Sequence, residues 1–594
     1  MAEQQHPHWQ LDTIYTGLDD PEFTADKQRL REAIVGLEHL LESPSDPFLD
    51  DVLTQLSTTY VPYATLMGYL YLRIAVDASD EAAKAERSAL TALGIKLHTL
   101  RKRFTALLKD VDLDGVDSET ANSHRHFLNR EQHSANHLLS PEAEAVAIAL
   151  DDTGGSAWSR VYNQLIARRT ITAKVLDPEG AEGEYSVAQL KVLQSHENEA
   201  VRKRAFEAEL QLLKRDDTVY AAAMNSIKGQ VDSLARRRGW DSAFDEALFD
   251  NGLTKPTLAA MHQACEESFG ALRDYLKAKA WHLGKPQLAW YDLFAPLPKA
   301  RAPHFSWEQA KALVEERFGT YSTELAGFAR RTFLEGWIDV PPRKGKVNGA
   351  FCSPVAARGE SRVMLNFGGS LGDVFTLAHE LGHAYHNDCK YRFQRNAIQS
   401  ITPNTLSETA SIFCETILLD GLLNSGSDVE QLAVLEHHLQ QSTQLVIDIH
   451  SRYLFEATVF ERRREREQSV SELNEIMLEA QAQTYGDGLA EDTRHPMMWA
   501  HKGHYYSSGR SFYNYPYTFG FLFGLGLYAE YQKDQQAFMA RYDELLASTG
   551  LYPATELAQR FGIDIEDVRF WRNSLAVITG RVEQFKELTE RVTE

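Results

Sequence analysis

At 376–386 the chain reads TLAHELGHAYH, and no other run constrains the fold as tightly. His379 and His383 stand four apart, with Glu380 directly after the first. On a helix, positions four apart share a face, so both imidazoles can reach one ion. The flanking residues support that helix. Val374, Leu377, Ala378, Leu381, Ala384 and Tyr385 form an apolar stripe, and Thr376, His379, Glu380, His383 and His386 form the opposite face. Glu380 then lies beside the first ligand, with its carboxylate near a metal-bound water.

The chain has 21 histidines, so H-E-x-x-H would arise by shuffling with a chance on the order of a few per cent. A downstream partner lowers that chance further. Catalytic zinc takes three protein ligands and keeps one position open for water. TLSETASIFCETILLDGLL at 405–423 supplies a third ligand on a second predicted helix, preceded by Pro403. Glu408, Ser411 and Glu415 share one polar face there at i, i+3 and i+7. Glu408 follows His383 by 25 residues, room for the end of one helix, a loop and a return. Glu415 can orient a ligand histidine from behind, or it is a salt-bridged surface glutamate; spacing does not separate the two.

The rest of the sequence sets the frame for this motif. The 594 residues suffice for several domains or one large enzyme. The 62 basic and 84 acidic side chains give a formal net charge of −22, which argues against nucleic acid and anionic membranes as partners. Four dispersed cysteines, Cys265, Cys352, Cys389 and Cys414, form no CxxC pair and suggest a reducing compartment. The opening MAEQQHPHWQLDTIY has no basic segment followed by an apolar run, so a cytoplasmic location is expected. FGFLFGLGLYA at 519–529 is too short for a membrane span, which needs about 20 residues.

Periodicity predicts a mostly α chain. KQRLREAIVGLEHLLES has apolar residues at 30, 33, 34, 37, 40 and 41, the spacing of a one-sided helix. Similar patterns run through 81–110, 140–150 and 186–235. ITAKVL and YSVAQL read as a hairpin around DPEGAEGE. The stretch FAPLPKARAPHF at 294–305 reads as a connection between sub-regions. AFCSPV and SRVMLNF read as paired strands just before the histidine helix, joined to it through Gly368, Gly369 and Gly372. An exposed edge strand there could pair with a peptide backbone, whereas an interior strand could not.

HELGHAYH followed by E-x-x-S-x-x-x-E resembles the thimet-oligopeptidase family of metallopeptidases. The context LNFGGSLGDVFTLAHELGH resembles its oligoendopeptidase F branch. WQLDTIYTGLDDPEF and HLLSPEAEAVAIALDDTGGSAW at 137–158 are similar to the N-terminal region of that branch, so the likeness covers most of the chain. The resemblance implies a gluzincin-type, multi-helix fold with a small β-sheet beside the HExxH helix and a deep central channel. It also implies cleavage of short peptides rather than folded proteins. On that basis the expected domains are an N-terminal helical domain at 1–200 and a zinc peptidase domain at 201–594, with the histidine helix near 374–387. The family also uses a histidine followed nine residues later by a tyrosine to stabilise the oxyanion. In HYYSSGRSFYNYPYTFGFLFGLGLYAEY at 504–531, His504 and Tyr513 match that spacing. A second family tyrosine lies a few residues on. Position 516 is proline, which leaves Tyr517 or Tyr515. Ser507, Ser508 and Gly509 read as a flexible approach to a closing His504, or as a plain turn.

The expected reaction is hydrolysis of internal peptide bonds by a metal-activated water. His379, His383 and Glu408 bind one zinc. Glu380 is the base, and His504, Tyr513 and Tyr517 stabilise the oxyanion. Zinc is inferred from ligand type, which manganese or cobalt would also satisfy. Two rivals remain at this point. A carboxypeptidase or dipeptidase with the same triad would need a cation, such as Arg510, Arg358 or Lys502, for the substrate's terminal carboxylate. A peptide-binding scaffold with a structural zinc would have no need of Glu380. Oligomeric state is not legible.

Overall fold

Apolar spacing and polar caps break the chain into helices almost throughout. The computed structural model describes residues 7–42, 48–298, 300 and 302–593. The helix Pro21–Glu42 buries Phe23, Leu30, Ala33, Ile34, Leu37 and Leu41, the spacing read above. Helices Glu81–Leu107 and Pro141–Thr153 fill two further segments. The long pattern at 186–235 divides into Val187–Leu193, Glu199–Lys214 and Asp217–Arg237. The expected hairpin is shorter than its sequence suggested. Strand β1, Thr170–Ala173, pairs antiparallel with β2, Gly183–Ser186. VAQL then turns helical, because Ser186 and Gln189 form a reciprocal cap that starts a helix there.

Compactness divides the chain differently from a boundary near residue 200. One unit gathers residues 1–138, 303–424 and 523–564, and the other 139–302, 425–522 and 565–594. The proline-rich stretch at 294–305 contains one of these crossings, at 302/303; its Lys299 and Arg301 lie outside the described residues.

In the first unit, β3 (Ile338–Asp339) runs parallel to β5 (Glu360–Met364), and β4 (Phe351–Val355) pairs antiparallel with it in the register Cys352↔Val363. The order is β3-β5-β4. SRVM is therefore the central strand, and the edge belongs to FCSPV. The N-terminal segment caps this sheet: Arg362 Nε donates to the Gln10 carbonyl at 3.0 Å, and the Val340 N–H donates to the Pro7 carbonyl at 3.1 Å. The histidine helix, Leu371–Arg392, packs on β4 and β5, on helix Thr409–Leu423 and on helix Gln535–Ala547.

The second unit is built on long helices. Val568–Thr593 lies against Lys255–His282 and Asp428–Thr443. Ile449–Arg463 and Val470–Tyr485 pair with each other. The apolar run at 519–529 is interior to the helix Tyr515–Lys533, and no helix among the described residues is long and apolar enough to cross a membrane.

Candidate active site

The histidine helix starts at a tight polar cap. Ser370 Oγ accepts the Asp373 N–H, and Asp373 Oδ2 accepts the N–H groups of Ser370 and Gly368, both at 2.9 Å. Gly369 turns the chain into this cap with φ +89°, and a Cβ there would lie 2.5 Å from the His304 ring, so only glycine fits. The predicted apolar stripe is buried: Val374, Leu377, Ala378 and Leu381 are wholly inaccessible. The opposite, polar face is not a solvated one. Glu380 and His386 are also buried, the latter bonded through Nε2 to the Leu546 carbonyl at 3.0 Å and Thr549 Oγ1 at 2.9 Å. Each large apolar side chain buried contributes about 1.5–3 kcal/mol. Together they outweigh the cost of holding a few polar groups inside.

The second acidic segment is not one helix. A short turn, Asn404–Ser407, ends at Glu408 (φ −85°, ψ 0°), and Thr409–Leu423 starts after it. The break aims Glu408 at the histidines. His379 Nε2 and His383 Nε2 lie 3.3 and 3.4 Å from Glu408 Oε2, and 3.1 Å from each other. Tetrahedral zinc, with bonds of about 2.0–2.1 Å, would hold its donors about 3.3 Å apart. The three atoms already form that triangle, so the donor set fits the ion in chemistry and in size. Their side chains stay 26, 23 and 22 % exposed, which leaves one side open.

The surroundings hold each donor in place. His379 Nδ1 faces Glu415 Oε1 at 2.5 Å, so Glu415 is the orienting carboxylate rather than a surface residue. His383 hydrogen-bonds to the Ser407 backbone, and Ser411 Oγ donates to Glu408 Oε2 at 2.9 Å. Gly382 makes this convergence sterically feasible. A Cβ on it would meet Ser411 Cα at 2.6 Å and the Ala410 carbonyl at 2.7 Å, so the two helices touch backbone to backbone at that point. The sequence contained this signal, a glycine inside HELGH, but periodicity assigns it no role.

Burial favours the neutral forms, and neighbouring charges decide the rest. Burial works against charge on His379, yet hydrogen bonds to Glu408 and Glu415 raise its pKa well above the usual imidazole range. Burial and the charge of His379 push His383 down to about 4. For Glu408 burial acts upward, and the bond from His379 with the charges of both histidines overcomes it, to about 2. Glu380 is pushed up to about 7 by burial, against the attraction of His379 and with the repulsion of Glu408 and Glu415. It accepts from the Cys352 backbone on the edge strand β4, and its Oε2 is buried without a hydrogen-bond partner.

The C-terminal candidates lie in the second unit. Tyr517 Oη donates to Tyr513 Oη at 2.7 Å, with the rings edge to face. Tyr515 is excluded from that pair: its ring is buried, and its hydroxyl donates to the Ala247 carbonyl at 3.0 Å and accepts from Asn251 at 3.3 Å. His504 Nε2 accepts from Asn514 Nδ2 at 2.7 Å, which leaves the proton on Nδ1. Burial and the charges of Arg452, Lys502 and Lys228 put its pKa well below the usual range, which favours the neutral imidazole. Ser507–Gly509 is an anchored turn. Ser508 Oγ donates to Asp151 Oδ2 at 3.4 Å, and a Cβ on Gly155 would meet Ser508 Cβ at 2.6 Å. The DDTGGSAW run, noted for its resemblance, is thus the seat of the His504 turn.

Phe512 precedes this pair with φ +52°, a strained conformation for an aromatic residue. Its N–H donates to the buried Glu456, itself paired with Lys228 at 2.6 Å, and its ring stacks on Phe460. The strain fixes where Tyr513 begins, and nothing in the residue types announces it. Of the candidate cations, Arg510 stacks on the Tyr513 ring at 4.7 Å, Arg358 donates to the Ile14 carbonyl at 3.4 Å, and Lys502 lines a cavity within the second unit.

Comparison with known proteins gives two matching family models: peptidase family M3 over residues 192–577, and oligopeptidase F over 113–170. An oligoendopeptidase F homolog of Lactococcus lactis subsp. lactis is 25% identical over 604 residues, covering 98% of this chain and 97% of its own. A solved structure from Chlamydophila abortus superposes with a TM-score of 0.86 at 19% identity, over 98% of both chains. The oligoendopeptidase F of Enterococcus faecium does so at 0.69 and 17%, over 98% of this chain and 100% of that one.

Proposed function

This chain belongs to peptidase family M3, in its oligoendopeptidase F branch, and from that peptidase identity we propose a zinc-dependent oligoendopeptidase acting on internal bonds of short, unfolded peptides. His379, His383 and Glu408 are its zinc ligands. The observation that carries this reading is the triangle of donor atoms, 3.1–3.4 Å on a side, with an unpartnered carboxylate oxygen of Glu380 beside it. Bound there, zinc supplies Lewis acidity for the scissile carbonyl and for the attacking water.

The chain's own groups do the rest. Glu380 follows the first ligand directly, is buried, and keeps one carboxylate oxygen unpartnered, so that oxygen is free to take and return a proton. It removes a proton from the attacking water and delivers it to the leaving amine. Glu415 holds His379 in the tautomer whose Nε2 lone pair faces the ion. The resemblance to the family assigns His504 and Tyr513 as donors to the oxygen that becomes negative, and Tyr517, bonded to Tyr513, orients its hydroxyl. The partly open donor face and an intact base favour this enzyme over a scaffold with a closed, structural zinc.

Two variants test it together. Glu380→Gln should keep zinc and fold while kcat falls by at least about 10²–10⁴-fold. His379→Ala should lose the zinc equivalent held by this triad, and activity with it. Quenched fluorescent peptides read the first and metal analysis the second. Glu380→Gln activity within tenfold of the unaltered enzyme refutes the base.

A further inference from the structure

A second constellation of the same donor types lies wholly inside the second unit. Glu209, on helix Glu199–Lys214, faces His495 and His501, the latter at the end of the short helix Met498–His501. His495 Nε2 is 3.5 Å and His501 Nδ1 is 3.3 Å from the same oxygen, Glu209 Oε1. The three donor atoms all lie within 4.8 Å of one another. The side chains of Glu209 and His495 are inaccessible, and that of His501 is 6 % exposed. Of the four ring nitrogens, His495 Nε2 and His501 Nδ1 meet only Glu209 Oε1, and His495 Nδ1 and His501 Nε2 are buried without a hydrogen-bond partner. Two such orphans in one place are costly, at about 1–3 kcal/mol each, and a folded interior rarely tolerates them.

The frame around them is rigid. Gln194 Nε2 donates to Glu209 Oε2 at 2.5 Å, which leaves Oε1 turned to the histidines. Gln481 pins the His495 backbone with a donated and an accepted bond, both at 2.9 Å. Phe206 and Trp290 meet the His495 ring edge to face. A cavity of about 50 Å³ reaches His501 beside Lys191, Asp448, Arg452 and Lys502, with room for water.

We propose that Glu209, His495 and His501 form a second transition-metal site, separate from the catalytic one, that takes zinc or another divalent ion suited to imidazole. Two imidazoles and one carboxylate oxygen are the donors such ions prefer, and an ion there would engage one nitrogen of each ring. Lys191 is its competitor. Its ammonium lies 3.1 Å from Glu209 Oε1, but the side chain is 33 % exposed and can swing into solvent as the ion arrives. The ion would tie the 495–501 segment to helix Glu199–Lys214, three residues before His504. Its role is therefore to steady the segment that carries His504 rather than to activate water.

The double variant His379→Ala/His383→Ala isolates this site from the catalytic one. Loaded with zinc and dialysed, it should retain one equivalent per chain. Adding His501→Ala should abolish that equivalent, and adding Lys191→Met should tighten it at least several-fold in a calorimetric titration. A natively folded double variant that holds no zinc overturns the proposal. The unaltered protein gives a second test should the double variant not fold: two equivalents are expected, falling to one in His501→Ala. One equivalent in the unaltered protein, unchanged in His501→Ala, overturns the proposal as well. One equivalent lost in His501→Ala but kept in His379→Ala/His383→Ala would overturn the catalytic assignment and leave this site standing.

Discussion

Tyr513, Tyr515 and Tyr517 stand two apart in the chain, yet their hydroxyls end in different places. Tyr515 points into the core and satisfies the Ala247 carbonyl, while Tyr517 bonds to Tyr513. Tyr513→Phe should therefore lower kcat on the order of 10²-fold, the cost of one oxyanion donor, with KM and the melting temperature nearly unchanged. Tyr515→Phe should do the reverse, costing about 0.5–1.5 kcal/mol of stability through one lost buried hydrogen bond and leaving kcat alone. Steady-state kinetics beside thermal melts decide; exchanged phenotypes would reverse the assignment. The sequence left Tyr515 and Tyr517 undecided because the choice depends on where the helix Tyr515–Lys533 begins, and the strained Phe512 sets that. HExxH with Glu408 was legible because each ligand is a local statement about residue type and spacing. Charge adds a further expectation. His379 holds its proton well above the usual imidazole range, between Glu408 and Glu415, whereas His383, at about 4, is neutral at pH 7. A zinc ligand must be neutral, so binding at pH 7 should release about one proton, and affinity should rise with pH until the His379 pKa is passed. Calorimetry in buffers of different ionisation enthalpy reads the proton count. Zero protons released would contradict the carboxylate–His379 geometry.

At the scale of elements, the histidine helix works by touching its neighbour. Gly382 lets helix Thr409–Leu423 approach backbone to backbone, and that closeness brings Glu408 and Glu415 to the histidines. Gly382→Ala cannot be absorbed by a side-chain rotation, since both obstacles are backbone atoms. It should cost about 1–3 kcal/mol as an overpacked contact and weaken zinc binding as the two helices part. Melting curves with and without zinc measure both, and an unaltered melt with full zinc affinity would show that the helices are free to separate. Periodicity found both helices but not their surroundings. It read a polar face on the first, because a buried polar residue and an exposed one leave the same mark in a sequence. It ran the second straight through Glu408, since nothing in TLSETAS forbids a helix. It also could not order the strands. SRVM is central because β3 adds a parallel neighbour from residues 338–339, two residues too few to show any alternation.

For the whole molecule, the chain crosses between its two compact units repeatedly, so a linear boundary does not describe compactness. Non-local contacts of that kind leave no local signal in composition or spacing, and this is why the units were not legible. The family resemblance, by contrast, spans both units, because its motifs at 137–158, 376–415 and 504–531 are short and specific. Membership of the oligoendopeptidase F branch carries a prediction for the intact enzyme: appreciable rates on peptides of oligomeric length and negligible rates on long denatured chains. Efficient digestion of denatured casein by a preparation free of other proteases would contradict it. The central claim is the ligand triangle itself. It is tested most directly by anomalous diffraction at the zinc edge from crystals of active enzyme. A strong peak is expected, bonded to His379 Nε2, His383 Nε2 and a Glu408 oxygen at about 2.0–2.2 Å; active crystals with no peak at those three atoms would refute the ligand triangle.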